Sequence, residues 1–148
     1  EARRPEMIAP ALARLLLRAA LAVGAAFLLL AAFFAALPGQ WYSLIHRQLG
    51  LGEFPDAPVA WYLARSASAL YACHGLLVAG IALRPQRVPW MVDILGAGNM
   101  VFGASMIVID ISAGMPWWWT LGEGPGIAFF GAFLIMLNRL ANEGRNAS

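Results

Sequence analysis

Four long apolar runs, separated by short polar segments, dominate the chain. They fall at residues 15–37, 59–83, 89–112 and 124–140. A helix that crosses a bilayer needs about 20 mainly apolar residues, so the first three runs are long enough. The fourth is the shortest. It spans only with local thinning of the bilayer or with help from Trp117 to Leu121. Pro125 fits the first turn of that helix, where its missing N–H costs nothing. The pattern predicts an all-α fold: an integral membrane four-helix bundle forming a single membrane domain over 1–148.

The first run follows Arg14 and Arg18 and carries no charge from Ala19 to Leu37. Its basic lead and the small residues Ala35-Ala36 also suit a signal peptide. The uncharged stretch, however, exceeds the ~7–15 residues of a signal-peptide core, and a retained helix is expected.

The segments between the runs have patterns of their own. Trp41, Leu44, Ile45 and Leu49 recur at helical spacing, while Gln40, Arg47 and Gln48 lie elsewhere; Gly50 and Gly52 follow as stops. This predicts a short amphipathic helix in the first outer loop, lying in the membrane interface. Before the fourth run come Trp117, Trp118 and Trp119. Tryptophan favours the headgroup level, so these form an aromatic belt; the functional alternative is the roof of a pocket.

Charge sets orientation. All the Lys and Arg positions are Arg, with net charge +2 and pI near 9.2. They sit at the ends of apolar runs, as membrane anchors do, and not in the continuous patch that nucleic acid requires. With the N-terminus inside, Arg3, Arg4, Arg14, Arg18, Arg84, Arg87, Arg139 and Arg145 are cytoplasmic, and only Arg47 and Arg65 fall outside. The positive-inside rule therefore predicts a multi-pass membrane protein that is N-in and C-in.

Composition agrees: hydrophobic residues make up 61% and charged residues 12%, against about 25% charged in soluble domains. The single cysteine, Cys73, excludes a disulfide framework and a two-thiol redox centre within the chain. No nucleophile–base pair or zinc spacing is present. The stretch Gly122-Glu123-Gly124-Pro125-Gly126 lacks the Lys and Ser/Thr of a phosphate-binding loop. His46, Glu53 and Asp56 read as a solvated loop and not as metal ligands, so no metal site and no cofactor are expected. A haem on His74 would need a second His at equal depth, and His46 lies at the outer interface.

Polar residues inside the runs are the candidate site, because an ionisable group at the bilayer centre costs about 2.5–3.5 kcal/mol on insertion scales. Counted outward from the tight Arg84–Arg87 turn, Arg65 and Asp110 come to similar depth, and Glu123 begins the fourth helix on the same side. An outer cluster of Arg65, Asp110 and Glu123 is predicted. Its simpler role is an ion pair tying helices together. Alternatives are anion recognition by Arg65, or acids that carry protons or a cation. A deeper layer pairs His74 with Asn99, and Ser68 with Ser105. Asp93 is expected to face Arg84 or Arg87. Small residues Ala72, Gly75 and Ala79 in the second run, with Gly96, Gly98 and Gly103 in the third, predict that these two helices form the tight centre.

Two stretches carry a resemblance: Leu49-Gly-Leu-Gly-Glu-Phe-Pro-Asp-Ala-Pro, continuing through Tyr62-Leu-Ala-Arg-Ser to Leu70-Tyr71, and Asp110-Ile-Ser-Ala-Gly-Met-Pro-Trp-Trp-Trp-Thr-Leu-Gly-Glu-Gly-Pro. Together they resemble an uncharacterised family of small bacterial four-helix membrane proteins. In size and helix count the chain is also similar to DoxX-like membrane proteins, some linked to quinone-coupled oxidation. That likeness is architectural and implies no catalytic residue. The expected function is a non-enzymatic accessory or lipid- or ligand-binding bundle. Its partners would be the lipid bilayer and a membrane-protein partner or second copy of the chain. The alternatives are a membrane redox or isomerase-type enzyme and a small proton-coupled transporter.

Overall fold

A computed structural model of the protein describes residues 3–143, with side chains from residue 10 onward. Arg145 of the orientation argument lies outside the described residues, and so do the side chains of Arg3 and Arg4. Among the described residues the chain is all-α, without strands. Its helices are α1 (Arg3–Ala36), α2 (Gly39–Gln48), α3 (Pro58–Leu83), α4 (Pro89–Ala113) and α5 (Trp117–Glu143), with a 3-10 turn at Pro85–Arg87. Four of them, α1, α3, α4 and α5, are long and apolar enough to cross a membrane.

The residues fall into two compact units. One comprises residues 1–21 and 80–148, the other residues 22–79. In the first, α4 and α5 form an antiparallel hairpin. Gly114 closes α4 with a left-handed φ of 68°. The N–H of Gly114 donates to Ile111 and that of Met115 to Asp110, which satisfies two orphan carbonyls. Pro116 then starts α5 by accepting from the N–H groups of Trp119 and Thr120.

So short a link fixes the register. Gly96 faces Gly131 and Gly103 faces Gly124, one heptad apart on each helix. The backbones touch: a Cβ at Gly96 would stand 2.6 Å from Ile135 Cγ1 and 2.7 Å from the Gly131 carbonyl. One at Gly124 would meet the Gly103 carbonyl at 2.7 Å. The same unit buries Leu17, Leu21, Pro85, Val92 and Leu134 almost completely.

In the second unit, the small residue Gly75 of α3 packs on α1, where a Cβ would lie 3.0 Å from Leu28 Cβ and from the Leu29 N. Ala25, Leu37, Tyr42 and Val78 are buried there.

Gly96 and Gly103 of the third run pack on α5 and Gly75 of the second run packs on α1, whereas Gly98 faces open space. One expectation needs correction. Pro125 does not open a helix. It lies inside α5, which begins at Trp117, because Pro116 rather than Pro125 provides the helix start. At 27 residues the fourth long helix is thereby as long as α3 and α4, with Trp117 to Leu121 as its first turns.

Candidate functional site

The site builds from the end of α1. Helices leave their last carbonyls without intrahelical partners. Here Pro38 turns the chain, and two side chains reach those carbonyls. The Tyr42 hydroxyl donates to the carbonyl of Phe34, and Arg65 Nη2 donates to the carbonyl of Leu37 at 3.3 Å. Cationic groups favour a helix C-terminus, where the macrodipole is negative. The Arg65 guanidinium also lies over the Trp61 ring, 5.9 Å from its centroid, within cation–π range.

Trp61 belongs to an aromatic box. Its ring centroid is 4.5 Å from that of Phe54 and 5.4 Å from that of Tyr42, and His46 meets Phe54 edge-on at 5.1 Å. The Trp61 indole N–H donates to Asp56 Oδ1 at 3.4 Å. The Nδ1 of His46 is buried and has no hydrogen-bond partner among the described residues. Gly39 leaves room for Trp61, whose ring would lie 3.0 Å from a Cβ there.

Helix α2 forms where its pattern predicts. Tyr42 is buried and Ile45 and His46 are half-buried, whereas Trp41, Leu44 and Leu49 are exposed. The side turned to the protein is the one that carries a hydroxyl for Phe34 and a ring for Phe54; the most apolar residues stay outside. Gly50 ends the helix at a φ of 70°, with its N–H on Arg47 and that of Leu51 on His46. Arg47 and Glu53 form an exposed ion pair at 3.1 Å, a geometry that contributes little stability.

The predicted acids lie in the other unit. Asp110, in the last turn of α4, is 3% exposed, and its Oδ2 has no hydrogen-bond partner among the described residues. Glu123 accepts a hydrogen bond from the Trp119 indole, one turn away on α5. Arg65 thus stands in one unit and Asp110 with Glu123 in the other.

The deeper polar layer divides in the same way, His74 and Ser68 in one unit and Asn99 and Ser105 in the other. His74, Ser68 and Asn99 are half-buried. The Ser105 hydroxyl donates to the Val101 carbonyl of its own helix at 2.9 Å. Asn99 turns its Cβ towards Gly131 of α5.

Sequence reasoning missed Asn138. It is 2% exposed on α5. Its Nδ2 donates to the Pro89 carbonyl and to Asp93 Oδ1, both at 2.9 Å, and it accepts from Asn142 through both its oxygens. Asp93 is therefore partnered by Asn138, where Arg84 or Arg87 was expected. The available signal was spacing: Asn138 continues the heptad series of Gly124 and Gly131, as Pro89 continues that of Gly103 and Gly96.

Among the described residues no three His, Cys, Asp or Glu side chains gather as metal ligands. Glu53 and Asp56, weighed earlier as ligands, are held by Arg47 and Trp61. Comparison with protein-family profiles, with curated proteins and with solved structures finds no match.

Proposed function

We propose that the chain is a multi-pass protein of a bacterial cytoplasmic membrane, N-in and C-in, that binds an anionic lipid or ligand group through Arg65 on the outer side. Membrane residence is supported by large apolar side chains left exposed along all four long helices, among them Leu15, Phe27, Leu63, Leu76, Val101, Ile111 and Phe129. In water such a surface would associate or aggregate. In lipid it is the solvated face. Trp41, Leu44 and Leu49 on α2 then meet the outer interface.

The observation that carries the binding role is the state of Arg65. It is exposed, and its guanidinium is held on Trp61 by one bond to Leu37. A guanidinium has five N–H donors in a fixed fork. The remainder suit a phosphate or carboxylate, and the aromatic box fixes their direction. On this reading the chain is a non-enzymatic accessory or binding protein, acting with a membrane-protein partner or as a homo-oligomer.

The test is mass spectrometry of lipids, small molecules and proteins that co-purify in mild detergent, wild type against Arg65→Ala. A bound species lost with the side chain supports the role; identical profiles refute it.

One observation favours a second reading. The buried Oδ2 of Asp110 lacks a hydrogen-bond partner among the described residues, as a proton- or cation-carrying acid of a small transporter would. Proton-driven flux in vesicles that disappears in Asp110→Asn would favour it over simple binding.

A further inference from the structure

Ala11, Arg14, Leu15, Arg18 and Gln86 line an open groove of about 410 Å³ within the first unit. Arg14 and Arg18 stand one helical turn apart on α1. Arg14 Nη1 donates to the Ala141 carbonyl in the last turn of α5 at 3.4 Å, and Arg18 Nη2 donates to Gln86 Oε1 at 3.3 Å. Each guanidinium is thus oriented by one bond, with other N–H donors left over. Neither forms an ion pair with a described acid. Ala11 and Leu15 make the rest of the lining apolar, and Leu12, Leu15 and Leu16 are exposed beside it. The groove also lies where α1 changes from its Arg-bearing part to the uncharged stretch Ala19–Leu37.

We propose that this groove binds the headgroup phosphate of an anionic phospholipid from the cytoplasmic leaflet. Arg14 and Arg18 grip the phosphate, and Leu15 lies against the first part of an acyl chain. The inference rests on the membrane reading above but not on the role of Arg65. Paired guanidinium forks match phosphate oxygens in geometry and charge. Basic pockets between helices on the cytoplasmic side are the usual place for such headgroups. Arg84 and Arg87, on either side of Gln86 in the chain, add to the positive field. A free phosphate would use the arginines alone; the apolar half of the lining and its position at the charge boundary favour a lipid.

The experiment uses the full chain in detergent and native mass spectrometry with phosphatidylglycerol against phosphatidylcholine. Wild type should retain phosphatidylglycerol preferentially. At about 1 kcal/mol per Arg near an anionic lipid surface, the double variant Arg14→Gln/Arg18→Gln should weaken that preference roughly thirtyfold. Arg139→Gln, an exposed charge outside the groove, should leave it intact. Should the double variant be lost on expression, Leu15→Trp, which fills the groove and keeps both charges, should block retention by itself.

Inorganic phosphate at millimolar concentration should not displace the lipid. Displacement would make this a free-phosphate site and overturn the proposal, as would undiminished preference in the arginine variant or in Leu15→Trp. Alkaline extraction of membranes run in parallel separates the two failures. Extracted protein defeats the membrane reading, whereas a retained protein without lipid preference defeats only the groove.

Discussion

Asn138 of α5 donates from one Nδ2 to both the Pro89 carbonyl and Asp93 Oδ1 of α4, at 2.9 Å each. This bond ends a register that begins at the Gly114 turn and passes through the Gly103–Gly124 and Gly96–Gly131 contacts. On α5 the heptad positions 124, 131 and 138 are Gly, Gly and Asn, so close approach at two steps is followed by a side chain that bonds across the hairpin. Asn138 is therefore a polar lock of this interface. Interhelical hydrogen bonds in membranes average about 0.6 kcal/mol and reach about 1.7. Asn138→Leu should cost about 1 kcal/mol, since it breaks both bonds across the hairpin, while Asn142 keeps its bond to the residue 138 backbone carbonyl. Unfolding in mixed micelles measures this, and an unchanged midpoint would deny the lock.

The glycine contacts make a sharper demand. A side chain at Gly96 or Gly124 meets backbone atoms, which cannot swing aside. Gly96→Val or Gly124→Val must part α4 from α5, and overpacking of this kind costs about 1–3 kcal/mol. Gly98→Val, on the same helix but facing open space, should be nearly silent. Thermal unfolding of the three variants in one detergent compares them directly. Equal losses at Gly96 and Gly98 would mean that helix propensity, and not close approach, governs the effect.

Much of this fold was legible because proline and glycine bound the apolar runs. The runs 59–83 and 89–112 correspond to Pro58–Leu83 and Pro89–Ala113, with Gly114 as the stop. The start of α5 was not legible. Thr120, Gly122, Glu123 and Gly124 interrupt the apolar pattern, so the tryptophans looked separate from the helix they open. Which helices touch was hidden for a different reason. Gly96 and Gly103 show that some partner comes close, but only the opposing Gly124 and Gly131, aligned through the turn, identify it as α5. In the candidate site, the importance of Arg65 followed from the cost of a charge among apolar residues. Its seat did not, because backbone carbonyls at the end of α1 leave no mark in the residue pattern.

Orientation is tested by labelling. Cys73 is exposed and must first be replaced by alanine. Cysteines introduced at Gln86 and Ala147 should then react only from the cytoplasmic side, and one at Gly52 only from outside. The expectation follows from the Arg distribution. Labelling of Gln86 from outside would reverse the topology and with it the side on which Arg65 acts.

Arg65 caps the end of α1, and the proposed anion binding would be a second, separable role. As a cap it donates to the Leu37 carbonyl beside the Tyr42–Phe34 bond. Tyr42→Phe keeps the ring in its box and removes one hydrogen bond, so it should cost about 1 kcal/mol. Arg65→Ala removes a charge-assisted bond and a cation–π contact, but the group is exposed, which holds its loss to about 1 kcal/mol as well. Arg65→Lys retains a cation able to reach a carbonyl, and it should restore most of that stability. It does not restore the planar fork that grips a phosphate or carboxylate from two sides. If Arg65 binds an anion, Arg65→Lys will therefore be nearly as stable as wild type in micelle unfolding yet lose the co-purifying species. A lysine variant that regains stability and ligand together would reduce Arg65 to a point charge. One that regains neither would show that the fork itself is what α1 requires.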